Sequence, residues 1–167
     1  SAQYRTNDPP SPRRRVSGER IRVGYLSSDF YENAVAYLIA EVLELHNRAQ
    51  FEISLYSYGP DDGRQMRARL QAACEHFIEV AHEPDDLVAT RIRRDDLDIL
   101  VDLKGYTLGA RTGLLARRPC RVQVSWLGDP GTMGAEFIDY IIADEFLIPP
   151  AFEHAYAERI LRMPHCY

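Results

Sequence analysis

The sequence predicts an α/β protein, a parallel sheet covered by helices on both faces. Three observations carry this expectation. Short apolar runs alternate with segments whose apolar residues recur at helical spacing. The helical segments extend to about ten residues or more, long enough for the crossover that joins parallel strands. Strong breakers, Gly59-Pro60-Asp61-Asp62-Gly63 and the glycine-rich stretch from Gly128 to Gly134, punctuate the pattern.

The elements follow in order. Ile21–Ser27 is a mostly apolar run ending in small polar residues, as a strand buried on both faces does. Residues 34–47 place Val35, Leu38, Ile39, Val42 and Leu45 at the spacing of a helix with one buried stripe. Phe51–Tyr58 is a second strand. Met66, Leu70, Ala73 and Phe77 repeat at helical intervals and predict a helix over about 64–75. His76–Val80 is a short edge strand, 84–95 another helix, and Asp98–Leu103 the next strand. A long loop, Lys104–Pro119, holds a brief helical stretch near Leu114–Arg117 and leads to a strand at Arg121–Trp126. Asp139–Ala143 is the last clear strand. Residues 1–19 contain three prolines and little apolar content, so they read as a flexible linker arriving from something upstream. The ordered domain is expected over 20–167.

The chain has 167 residues, of which 46% are hydrophobic and 27% charged, which excludes a disordered tail. A chain of this size buries about 70% of its unfolded surface. No apolar run approaches the ~18 residues of a spanning helix, and the N-terminus lacks the apolar core of a signal peptide. Cys74, Cys120 and Cys166 are odd in number and include no C-x-x-C pair. That opposes a disulfide scaffold or thiolate zinc site and favours a reducing, cytoplasmic setting. Net charge is −5, yet the first twenty residues carry five arginines against Asp8 and Glu19. Arg13-Arg14-Arg15 reads as a solvated linker, and the acidic body offers no broad positive face to nucleic acid or membrane.

In an open parallel sheet, ligands sit beyond the carboxyl ends of the strands, where strand order reverses. Three loops hold the usable polar groups there: Ser27–Asn33, Lys104–Thr107 and Leu127–Thr132. A G-x-G-x-x-G after the first strand and a P-loop are both missing, which argues against nicotinamide-dependent chemistry and P-loop phosphate binding. Asp96-Leu97-Asp98 precedes its strand, at the amino edge, and reads as a solvated turn rather than a metal-binding D-x-D. The five histidines form no ligand set by spacing, and no metal is expected. Asp29 is either an Asx-turn leaving the first strand or a functional carboxylate. Asn33 reads first as the N-cap of the helix that begins at Ala34. Gly128–Gly134 is either a turn that needs glycine or a backbone surface against which a sugar or phosphate lies. Trp126 reads as core.

At these loops the sequence resembles the O-linked N-acetylglucosamine transferases, in particular their bacterial SPINDLY-like branch. The matching stretches are Arg20–Phe30 (RIRVGYLSSDF), Tyr58–Gly63 (YGPDDG), Ile99–Tyr106 (ILVDLKGY), Gln123–Gly134 (QVSWLGDPGTMG), Phe137–Asp144 (FIDYIIAD) and Met163-Pro164-His165. The resemblance implies one Rossmann-like lobe of a two-lobe, GT-B-type glycosyltransferase, with the active site between lobes. It implies transfer of a sugar from a nucleotide sugar, usually UDP-N-acetylglucosamine but GDP-fucose in some SPINDLY relatives, to Ser or Thr hydroxyls of an acceptor protein, without a metal or cofactor; another branch of the family glycosylates asparagine. Tetratricopeptide repeats are expected upstream. Most of the nucleotide grip is expected in a second, downstream lobe, so the chain alone is expected to be inactive.

By motif, Asp29 matches the aspartate proposed to help accept the hydroxyl proton. Leu127, Gly128, Pro130, Gly131 and Thr132 match a loop against the donor sugar, and Ala34 and Tyr106 fall at the cleft. Relatives typically carry histidine where this chain has Asn33, and usually tyrosine where it has Asp129. An amide cannot take up a proton as imidazole does. The alternative is a non-catalytic interaction or scaffold domain that keeps the fold.

Overall fold

The structure, a computed structural model, describes residues 9–11 and 16–165. Most of the expected linker, including Arg13-Arg14-Arg15, lies outside the described residues, as does Cys166. Within it, Pro10 and Ser11 line a groove at the amino edge of the sheet together with Ile21, Ile99 and Val122. Val16–Glu19 forms a turn in which the Glu19 N–H donates to the Val16 carbonyl at 3.1 Å.

Among the described residues seven strands form one sheet: β1 (Ile21–Ser27), β2 (Phe51–Ser57), β3 (His76–Glu79), β4 (Ile99–Asp102), β5 (Val122–Ser125), β6 (Tyr140–Ala143) and β7 (Arg159–Arg162). Four helices accompany them: α1 (Ala34–Leu45), α2 (Gln65–Ala72), α3 (Asp85–Asp95) and α4 (Thr112–Ala116), with a 3-10 helix over Pro150–Ala155. The strand order is β3-β2-β1-β4-β5-β6-β7, and every pairing is parallel. The chain winds outward from β1 to β3, then crosses back to β4, so the order reverses between β1 and β4. This is the doubly wound, Rossmann-like arrangement that the sequence predicts.

Side chains alternate across the central strands and supply two cores. Val23, Tyr25, Ile53, Leu55 and Val101 pack with α1 and α2 through Ile39, Leu43, Met66 and Leu70. Leu26, Tyr56 and Leu100 face the other way, against Val88 and Ile92 of α3 and Leu114 and Leu115 of α4.

Two expectations need correction, the buried stripe of α1 and the position of the last strand. The buried stripe of α1 is Ala36, Ile39, Ala40 and Leu43, whereas Leu38 and Leu45 are exposed. The small alanines let the helix sit close to the sheet, which turns the larger leucines outward. Between β5 and β6 no helix intervenes: Met133, Ala135, Phe137 and Ile138 of the connecting loop pack with α3 and α4 and cover the sheet instead. Asp139–Ala143 is not the last strand, because β7 pairs with β6 from Tyr140–Arg159 to Ala143–Arg162. As a short edge strand with an arginine at each end, β7 carries little apolar pattern.

Candidate functional site

Four loops meet beyond the carboxyl ends of β1, β2, β4 and β5. The β1 and β2 loops are joined where the Glu32 N–H donates to Asp62 Oδ2 at 3.0 Å. The β1 and β4 loops are joined by Lys104 Nζ and Asp29 Oδ2 at 2.9 Å. The β4 and β5 loops interlock through backbone: a Cβ on Gly128 would stand 2.3 Å from the Leu103 carbonyl oxygen. Tyr106, half exposed, crosses the same junction and donates its hydroxyl to the Met133 carbonyl at 2.8 Å. The junction lies where strand order reverses, the place a doubly wound sheet offers a ligand.

Asp29 is buried, and its carboxylate accepts from Lys104 on one oxygen and from Ser28 Oγ at 3.0 Å on the other. Its own N–H donates to Ser27 Oγ at 3.0 Å. The carboxylate is thus ion-paired rather than closing an Asx-turn.

Asn33 is the N-cap of α1, with Oδ1 accepting the Val35 N–H at 3.0 Å. Its Nδ2 donates to Tyr31 Oη at 3.4 Å. Ala34 is exposed at the first position of that helix.

On the β5 loop Leu127 adopts φ 65°, a left-handed conformation unusual for leucine. Asp129 Oδ1 accepts the Gly131 N–H at 3.0 Å, and the Pro130 carbonyl accepts from Tyr156 Oη at 2.9 Å. Thr132 donates its hydroxyl to Glu158 Oε2 at 2.6 Å and accepts from the Gly134 and Ala157 N–H groups.

Glu158 is a residue that sequence reasoning missed. It is buried at the start of β7, and its second oxygen accepts the Met133 N–H at 2.7 Å. Its distance from the loop in sequence leaves no local signal. Two charge-assisted hydrogen bonds shape the loop. Glu158→Ala is therefore expected to lower stability by ~2–3 kcal/mol in urea unfolding. A loss under ~0.5 kcal/mol would show that the loop holds its shape without it.

Asp102 is the second missed group. It is fully enclosed at the end of β4, where Oδ2 accepts the Gly105 N–H at 2.8 Å and so closes the turn that presents Lys104. Burial pushes its carboxyl up to about 7, while the Gly105 and Lys104 N–H groups and the Lys104 ammonium pull the other way. The signal for it was a carboxylate ending an apolar run one turn before a glycine, Asp102 before Gly105. Tyr58 shares this side of the sheet, and its hydroxyl is buried without a hydrogen-bond partner among the described residues. Burial first, then the Asp102 and Asp29 charges, shift it toward the protonated phenol. Ser125 Oγ and Trp126 Nε1, where β5 runs into its loop, are likewise buried and unpartnered among the described residues. Trp126 stands just past β5 and is half-buried rather than enclosed.

Asp96-Leu97-Asp98 lies at the amino edge, where Asp98 Oδ2 accepts the Arg22 N–H at 2.8 Å and Asp96 ends α3 with φ 54°. Among the described residues no three His, Cys, Asp or Glu side chains group as metal ligands, and no helix is long and apolar enough to cross a membrane.

Comparison with known proteins agrees with the fold. The chain is 41% identical over 157 residues to a probable UDP-N-acetylglucosamine--peptide N-acetylglucosaminyltransferase, SEC, of Arabidopsis thaliana, covering 93% of this chain and 16% of that protein. It is 38% identical over 152 residues to the UDP-N-acetylglucosamine--peptide N-acetylglucosaminyltransferase of Caenorhabditis elegans, covering 90% and 13%. The chain thus spans well under a fifth of the length of these curated relatives. A solved structure of a lysine-to-methionine mutant of the Thermobaculum terrenum O-GlcNAc transferase superposes with a TM-score of 0.91 at 34% identity, over 97% of this chain and 31% of that one. The family pattern of glycosyl transferase family 41 matches residues 6–167. With nearly its whole length matched, the chain belongs to glycosyl transferase family 41.

Proposed function

We propose that this chain is the N-terminal lobe of the catalytic region of a protein O-GlcNAc transferase. In this reading it moves N-acetylglucosamine from UDP-N-acetylglucosamine to Ser or Thr hydroxyls of an acceptor protein. The observation that carries the reading is the buried carboxylate of Asp29, held at the junction of loops beyond the strand ends. The reading brings with it tetratricopeptide repeats upstream, a second lobe downstream that grips the nucleotide, and a cytoplasmic setting in keeping with the free thiols of Cys74 and Cys120.

In the transfer, the acceptor oxygen bonds to the anomeric carbon of the sugar. The bond from that carbon to the phosphate oxygen breaks, and its electron pair leaves on the diphosphate. The hydroxyl proton passes to an Asp29 oxygen and later to water. A carboxylate is a weak base toward an alcohol, so bond breaking runs ahead of proton transfer. The backbone of Leu127, Gly128, Pro130 and Gly131 lies against the sugar, and Tyr106 and Ala34 border the cleft. Thr132 contributes through the shape of the loop, since Glu158 and two N–H groups already engage its hydroxyl. The test is incubation of the complete encoded protein with UDP-N-acetylglucosamine and a serine peptide, read by mass spectrometry. Gain of one N-acetylhexosamine on the peptide supports the reading, and its absence overturns it.

One observation favours the scaffold reading. The Asn33 amide stands where the family resemblance implies histidine, and it is committed to capping α1 and to Tyr31. Asn33→His in the complete protein separates the two. For a working enzyme, transfer is expected to rise by ~10-fold or more, toward the scale of an acid–base group. For a scaffold, transfer stays absent and the lost cap lowers stability by ~1 kcal/mol.

A further inference from the structure

We infer that Lys104 is a positioning residue for the transfer, acting through Asp29, and that the turn closed by Asp102 sets where its ammonium stands. The inference rests on the reading of Asp29 as the group that receives the acceptor proton.

Lys104 is the chain's lone lysine among twenty basic residues, and it is 7% exposed. Basic side chains on this protein's surface are arginines, which bind carboxylates through a planar fork. A buried lysine is a compact charge on a slender stem, suited to touching one oxygen and leaving the rest of a carboxylate open. That is the geometry here: Nζ meets Asp29 Oδ2 at 2.9 Å, while Ser28 Oγ meets Oδ1 at 3.0 Å. A carboxylate has about four lone-pair sites, so each Asp29 oxygen keeps capacity for an incoming hydroxyl.

The lysine is anchored at its backbone from both sides. Asp102 Oδ2 holds the Gly105 N–H, and the Lys104 carbonyl accepts from Thr107 Oγ1 at 2.8 Å and from the Thr107 N–H at 3.2 Å. Gly105, at φ 56°, permits this tight turn. The Trp126 N–H donates to the Asp102 carbonyl at 3.0 Å and ties the turn to the loop placed against the sugar. Asp102, Lys104 and Asp29 therefore form a connected relay from the end of β4 to the reacting oxygen.

Steady-state kinetics on the complete protein decide the matter, with UDP-N-acetylglucosamine and a serine peptide as substrates. Lys104→Met is expected to lower kcat by ~10²-fold, the scale of a misplaced catalytic group, with donor KM within ~3-fold of the parent. Asp29→Asn is expected to show a comparable loss. The double variant should fall no further than Asp29→Asn alone, because residues acting as a unit are not additive. It removes both buried charges together and so stays foldable. Lys104→Gln keeps an N–H donor and should fall between parent and Lys104→Met. A Lys104→Met kcat within ~2-fold of the parent overturns the inference. So does a donor KM raised ~10-fold or more at unchanged kcat, which would make Lys104 a donor-binding group, and so does full additivity in the double variant. A parent protein that transfers nothing overturns the functional reading itself, whereas parent transfer with an unaffected Lys104→Met overturns this inference alone.

Discussion

Gly128→Ala is expected to abolish sugar transfer and to lower stability by ~3 kcal/mol, the upper end of what overpacking costs. The added Cβ would lie 2.3 Å from the Leu103 carbonyl oxygen and 2.6 Å from the Leu103 and Lys104 carbonyl carbons. All three are backbone atoms, so no rotamer change relieves the overlap. The neighbours cannot yield easily either. The Leu103 N–H donates to the Leu26 carbonyl, and the Gly128 N–H donates to the Trp126 carbonyl across the strained Leu127. Relief must come from moving the Leu103–Lys104 peptide, which carries the ammonium away from Asp29, or from unwinding the β5 loop proposed to hold the sugar. Gly134→Ala is the control: unlike Gly128 it has a positive φ, 55°, but nothing lies within 4 Å of its added Cβ. It is expected to cost only ~1 kcal/mol. For a domain of this size the difference amounts to roughly 4–8 °C in melting temperature. Equal melting temperatures for the two variants would mean that the β4 and β5 loops do not depend on their close approach.

The elements that sequence made legible are those whose pattern is one-dimensional. β1 and β2 are short, mostly apolar runs, and their bounds emerge within a residue of expectation. The helix α3 turns Val88, Ala89 and Ile92 inward and, Leu87 apart, leaves charged and polar residues outward. In α1 the same reasoning placed Ile39, Val35 and Val42 against the core but erred at Leu38 and Leu45. Its sequence, AVAYLIAEVLEL, is apolar around most of its circumference, so periodicity ranks Leu38 above Ala36 although the sheet accepts the smaller residue. The locations of Asp29 and the two later loops were legible because strand order in a doubly wound sheet fixes where carboxyl ends converge. Partnership was not. Ile99-Leu100-Val101-Asp102 ahead of Gly105 offers a turn signal, but nothing in it says that the aspartate will lie in a dry pocket. Nothing near Glu158 says that it will hold Thr132 and Met133, residues more than two dozen positions earlier. The Glu158 contacts depend on three-dimensional return of the chain, which β7 makes when it pairs with β6.

Asp102 gives the protein an unusual dependence on pH. Most paired carboxylates titrate lower when folded, so stability is lost on acidification. Asp102 does the opposite, because burial disfavours its charged form and raises it from 3.8 to about 7. A group whose folded value is raised adds stability that is fully present below the unfolded value, near pH 4. That contribution is lost as pH rises toward 7. At about 1.4 kcal/mol per unit, the shift sets an upper limit of ~4 kcal/mol on the loss across the window. Asp102→Asn retains a side-chain oxygen for the Gly105 N–H and removes the charge. Its stability relative to the parent is therefore expected to improve by ~2–4 kcal/mol between pH 4.5 and pH 8. Groups that titrate alike in both proteins, such as Asp62 and Glu75, whose carboxyls are held below their usual range, cancel in the comparison. Urea unfolding of the two proteins at several pH values measures the difference. A difference that stays flat across the window would mean that Asp102 is ionised at no cost when folded, with Lys104 and the turn N–H groups fully offsetting its burial. Where the difference does grow, the turn that presents Lys104 changes charge near neutrality, and the Lys104–Asp29 geometry is set by a carboxyl that titrates in the physiological range.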